Sequence, residues 1–196
     1  MNKVKDEFKF SELVKTVGFK YKSSDYYKIA FTHTTYANEK KVESNERYEY
    51  LGDAILDFLV GEYLFNKYPN MPEGELSKVR AKYVLAEANS EYAKELGLDK
   101  FVLLGHGEES QNGRKKVAVL GDLFEAFLAA LYLDNGSLDE VRKILERVVY
   151  KNIDVNWTTG FFKDYKSSLQ EYIQAESRKG VRYVLENETG PSHDKT

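Results

Sequence analysis

The stretch NERYEYLGDAILDFLVGEYLF, residues 45–65, decides the reading of the fold. Set on a helix at about 100° per residue, its apolar side chains cover most of the circumference. Tyr48, Leu51, Ile55, Phe58 and Leu59 face one way, and Leu56, Val60 and Leu64 face others. A helix apolar nearly all round is expected in the interior. Against that background Glu46, Glu49 and Asp53 recur at i, i+3 and i+7 on one narrow stripe, and Asp57 continues it one turn later. Residues 117–133, VAVLGDLFEAFLAALYL, repeat the pattern with two charges, Asp122 and Glu125, at i, i+3. No Lys or Arg stands four residues to either side of Asp122 or Glu125.

Carboxylates on apolar helices are costly unless they are protonated, paired with remote Arg or Lys, or bound to a cation. The pattern favours the cation, with a structural salt-bridge network as the alternative. An oxygen-only ligand set suits Mg²⁺, Mn²⁺ or Ca²⁺. A di-iron bundle would need Glu-x-x-His, yet Ala30, Leu103 and Gly190 precede His33, His106 and His193 by three residues. The residues alone therefore point to a metal-dependent hydrolase of a phosphate ester, with nucleic acid as a candidate substrate.

The rest of the chain bounds this reading. It has 196 residues, 29 Lys+Arg against 32 Asp+Glu, a net charge of -3, no Cys, 3 Pro and 42% hydrophobic residues. That composition buries a real core and excludes disordered, collagen-like and disulfide-scaffold classes. It also excludes thiolate metal sites and a Cys nucleophile. MNKVKDEFKF has no apolar core, so no secretory signal is read there, and no apolar run approaches a membrane span. The slightly acidic balance, taken alone, argues against a nucleic-acid binder.

Helices are expected once or twice within 8–31, over 45–67 up to Tyr68-Pro69, from Pro72 to about Leu96, over 117–133, and from Ser137 to about Val149. Ser137-Leu138-Asp139-Glu140 has the spacing of a capping box. Residues 101–114, with three Gly and several polar residues, read as a loop with short structure. The composition then shifts. Residues 1–150 read as one all-helical domain, 151–163 as a linker, and 164–196 as a short helix and a strand too small to be stable alone. Trp157 is read as a packing anchor in that linker. His33 is read as structural, satisfied by a hydrogen bond, and Lys40-Lys41 and Arg114-Lys115-Lys116 as solvated loops.

Glu46-Arg47-Tyr48-Glu49-Tyr50-Leu51-Gly52-Asp53 resembles the E-R-L-E-F-L-G-D signature of bacterial ribonuclease III. Three further segments resemble that family in the same order: Phe31 to Glu39, Pro72 to Ser77, and Gly113 to Lys116 followed by Leu120 to Ala126. The resemblance implies an all-α nuclease domain that cleaves double-stranded RNA as a homodimer, leaving 5′-phosphate and 3′-hydroxyl ends. It implies Mg²⁺, with Mn²⁺ as a substitute, on Glu49, Asp53, Asp122 and Glu125, with Asp53 and Glu125 catalytic. Glu46 and Glu73 match further acidic positions of the cleavage groove, and Tyr50 matches an aromatic dimer knob that is usually Phe. Gly121 stands where Ala is common and Ala129 where Gly is common, exchanges between small residues.

Residues 164–171, Tyr183 and Gly190-Pro191-Ser192-His193 resemble the first half of an α-β-β-β-α double-stranded-RNA-binding domain. Ser167, Gln170, Glu171 and His193 are its candidate RNA contacts, in minor grooves. The resemblance implies a cytoplasmic role in ribosomal and messenger RNA processing, with no membrane partner. The alternatives are a non-catalytic dimer that binds double-stranded RNA and a dimerisation scaffold.

Overall fold

The computed structural model describes residues 8–153. These hold nine α-helices and three short 3-10 segments, and no strand beyond one isolated parallel bridge between Thr32 and Leu103. The helices are α1 Phe10–Val17, α2 Asp25–Ala30, α3 Thr34–Lys40, α4 Glu46–Lys67, α5 Glu73–Val84, α6 Ala86–Glu95, α7 His106–Ser110, α8 Val117–Asn135 and α9 Asp139–Val148. The 3-10 segments are Leu98–Lys100, Gly113–Lys115 and Tyr150–Asn152. None of these helices is long and apolar enough to cross a membrane.

The centre is α8. Twelve of its 19 residues are buried, among them Phe124, Phe127 and Leu128. A helix apolar on every side can satisfy that composition only when other helices surround it. Here α2, α4 and α6 pack against it. Each buried Leu or Phe removed from water contributes about 1.5–3 kcal/mol. Phe19, Tyr27 and Phe31 close one end of the core around Phe127, with ring centroids 5.4–6.3 Å away. Asp134, buried at the end of α8, accepts from the backbone N–H of Lys22 at 2.7 Å and of Ser23 at 2.8 Å, and from the Tyr27 hydroxyl at 3.1 Å. One carboxylate thus fastens the α1–α2 connection to the core.

Four expectations change. The signature helix α4 is not buried all round. Ile55, Leu56, Leu59, Val60 and Leu64 face inward, while Tyr50, Ala54, Phe58 and Phe65 form an exposed stripe at spacings of four, four and seven. Phe58, expected on the inner face with Leu59, is 56% exposed.

The single helix expected from Pro72 to Leu96 is two helices broken at Leu85, whose ψ of 156° is extended. The Asn89 side chain takes the Val84 carbonyl at 3.2 Å, and the break lets α5 follow α4 while α6 follows α8. The capping box at Ser137 does not close. The helix begins there, but Glu140 accepts from Lys20 N–H at 3.1 Å and from Lys143 instead of returning to its own cap. Finally, Ile153 is buried, so the helical body runs three residues into the stretch read as a linker. The remaining linker, Trp157, the 164–196 segment and its candidate contacts Ser167, Gln170, Glu171 and His193 lie outside the described residues.

Candidate active site

The acidic stripes meet where α4 crosses α8. The crossing is close because position 52 has no side chain. A Cβ placed on Gly52 would stand 1.8 Å from the Glu125 carbonyl oxygen, inside any tolerable contact. The next residue, Asp53, and the preceding turn's Glu49 are thereby set against the α8 residues Asp122 and Glu125. Helical periodicity does the rest, since i, i+3 and i+4 neighbours share a face.

Electrostatics show that the carboxylates feel one another. Glu125 is pushed up from 4.5 to about 8, first by burial and then by Asp53, Asp122 and Glu49. Only a hydrogen bond from Asn89 opposes this. Glu49 is raised by burial, then by Asp122, Glu46 and Asp53. Burial also raises Asp122, against an opposing pull from His33. Glu46 thus belongs to the electrostatic cluster, although it is exposed and accepts from the Ser44 hydroxyl at 2.8 Å.

Other predicted positions do not gather there. Asp57, the continuation of the stripe, turns to Arg80 at 3.8 Å. Glu73 starts α5, accepts from the Ser77 hydroxyl at 2.9 Å, and is not among the groups that perturb Glu49, Asp122 or Glu125. It lines a separate cleft of about 330 Å³ with Phe65 and Arg80. Tyr50 is 82% exposed and points away from the core. His33 is structural as read: its Nδ1 lies 2.8 Å from the Thr35 hydroxyl and accepts from Thr35 N–H, capping α3. Burial lowers its pKa, against opposing pulls from Glu108 and Asp122.

Among the described residues, no three acidic or histidine side chains stand close enough together to hold a metal ion as placed. The donor chemistry nevertheless fits a hard divalent cation. All the groups are oxygen ligands, and the burial and neighbouring negative charge that raise Glu125 are what a bound positive charge would offset. Sequence reasoning missed two residues. Gly52 was quoted only as part of the signature, and the contact that requires glycine is tertiary. Asn89 left a signal, a weak helix former inside the alanine-rich AEANSEYA.

Similarity to known proteins agrees with the geometry. A family profile described as Ribonuclease-III-like matches residues 24–153. Ribonuclease 3 of Listeria monocytogenes serovar 1/2a is 45% identical over 189 residues, 95% of this chain and 82% of that protein. Ribonuclease 3 of Staphylococcus aureus strain bovine RF122 is 40% identical over 188 residues, 94% of this chain and 76% of its own length. A solved nuclease domain of ribonuclease III from Campylobacter jejuni, described for structural flexibility in a region involved in dimer formation, superposes with a TM-score of 0.68. It is 36% identical and covers 74% of this chain and 99% of its own. The helical fold with its crossed acidic helices defines an endoribonuclease domain. The chain belongs to the ribonuclease III family.

Proposed function

We propose that this chain cleaves double-stranded RNA as a divalent-metal-dependent homodimer, at a site formed by Glu49, Asp53, Asp122 and Glu125. The observation that carries the reading is the close α4–α8 crossing at Gly52, across which the charges of the facing carboxylates act on Glu49 and Glu125. Mg²⁺, or Mn²⁺ in its place, would be held by these four. When bound it would offset the charge of the scissile phosphate and activate water. Asp53 and Glu125 act at the reaction centre, and Glu46 extends the acidic groove. Burial and the neighbouring carboxylates hold Glu125 up at about 8, and a bound cation would favour its ionised form. In-line hydrolysis that expels the 3′ oxygen leaves 5′-phosphate and 3′-hydroxyl ends.

The exposed apolar stripe of Tyr50, Ala54, Phe58 and Phe65 supports the homodimer, because a row of large apolar side chains on one helix is a surface for another protein. Tyr50 is its knob. Residues 1–150 form the nuclease domain. Beyond the linker, Ser167, Gln170, Glu171 and His193 of the 164–196 segment contact RNA. A place in ribosomal and messenger RNA processing in the cytoplasm goes with this reading. The test is cleavage of a duplex RNA with Mg²⁺ against EDTA, for wild type and Glu125→Gln. Cleavage by Glu125→Gln in Mg²⁺ at near the wild-type rate would sink the assignment.

A further inference from the structure

Asn89 is fully buried near the start of α6. Both hydrogens of its amide have acceptors: Nδ2 donates to Glu125 Oε1 at 2.8 Å and to the Val84 carbonyl at 3.2 Å. Its Oδ1 is buried with no hydrogen-bond partner. An unpaired buried acceptor is costly, so the orientation of this amide needs a reason. The reverse orientation would aim Oδ1 at a carbonyl and a carboxylate at once, and those two oxygens fix the amide as found. The reach is short because α6 lies close on α8, where a Cβ at Gly121 would be 3.3 Å from the Ala86 carbonyl oxygen.

We infer that Asn89 is a positioning residue for the cleavage reaction, clamping one oxygen of Glu125 so that the other is presented toward Asp53 and Asp122. This rests on the reading of Glu125 as a reaction-centre carboxylate. Asn supplies what the neighbouring types cannot: Asp has no hydrogen to donate, Leu fills the volume without polarity, and Gln is a methylene too long for so close a crossing. The bond to Val84 couples the clamp to the α5–α6 break, so the break is also what lets Asn89 face α8.

The test uses the full chain, steady-state cleavage of a duplex RNA, and thermal melting in chelator. Asn89→Asp and Asn89→Leu each lose about tenfold or more in kcat, the range for supporting residues around a metal site. The KM for duplex RNA stays within about twofold, because the duplex is held elsewhere along the groove. Asn89→Asp also lowers Tm, and adding Glu125→Gln recovers part of the loss, beyond what Glu125→Gln gains in the wild-type background, since an amide donor again faces a carboxylate acceptor while the Val84 carbonyl stays without its donor. A purely structural role predicts a kcat loss that tracks the folded fraction, and a double variant that gains no more over Asn89→Asp than Glu125→Gln alone gains over wild type. Either folded single variant cleaving at near the wild-type kcat, or a double variant that gains no more over Asn89→Asp than Glu125→Gln gains over wild type, would overturn the inference. If Asn89→Asp cleaves normally while Glu125→Gln is dead, only the clamp falls. If both cleave, the proposed function falls with it.

Discussion

Replacing Glu125 with Gln should remove activity and, in chelator, make the protein more stable. The carboxyl is held at about 8 in the folded chain against an ordinary 4.5. A pKa raised by folding means that stability is fully present below about pH 4.5 and is lost as pH rises through about 8. At roughly pH 7 the shift corresponds to about 3 kcal/mol, from about 1.36 kcal/mol per unit over the interval between 4.5 and 7. Glu125 is only partly buried, so solvent screening reduces this to about 1–2 kcal/mol. Gln keeps the shape and can still accept from Asn89, so the gain is not cancelled by a lost hydrogen bond. In a domain of this size that is a rise in Tm of about 2–6 °C. The assay is calorimetric melting of both proteins in chelator across roughly pH 5 to pH 8.5. The variant should melt higher at the alkaline end, and the difference should shrink toward zero near the acid end. Adding Mg²⁺ should raise the Tm of wild type more than that of the variant. A variant that melts at or below wild type at the alkaline end would refute the claim that these carboxylates repel one another across the crossing.

Other consequences follow from the packing. Gly52→Ala drives a Cβ to 1.8 Å from the Glu125 carbonyl oxygen and should cost at least about 3 kcal/mol by urea melting, with cleavage lost. Gly121→Ala, where the nearest atom is 3.3 Å away, should stay within about 1 kcal/mol in the same measurement. Phe58→Glu, on the exposed stripe, should leave the melting of an isolated subunit within about 0.5 kcal/mol while sedimentation shifts toward monomer; a variant that stays dimeric would remove the stripe from the interface. Asp134→Ala strands two backbone N–H groups and the Tyr27 hydroxyl, and should lower stability by roughly 3 kcal/mol in chemical denaturation without changing the KM for RNA.

Much of the molecule was legible in the chain. Helical periodicity is local, so apolar spacing, with Pro69 after α4 and Ser137 ahead of α9, places α4, α8 and α9 to within a residue or two. The four carboxylates were legible because charges on so apolar a helix as α8 need a reason. The break at Leu85 was not, because Pro72 to Leu96 carries no interior proline or glycine beyond its first turn. What breaks the helix is the Asn89 side chain and the demand that α5 and α6 follow different neighbours.

By itself the sequence determined which residues would be helical and which carboxylates would share a stripe, since both follow from a repeat of 3.6 residues. Only the tertiary structure decided that Asp57 would leave the stripe for Arg80, that Glu73 would stand apart from the four, and that one face of α4 would stay exposed. It also decided that Asn89 would reach Glu125. These outcomes depend on which helices cross and how closely. Distance between helices is set by the absence of a side chain at Gly52 acting on a residue 73 positions away, between Gly52 and Glu125, and no local pattern encodes it.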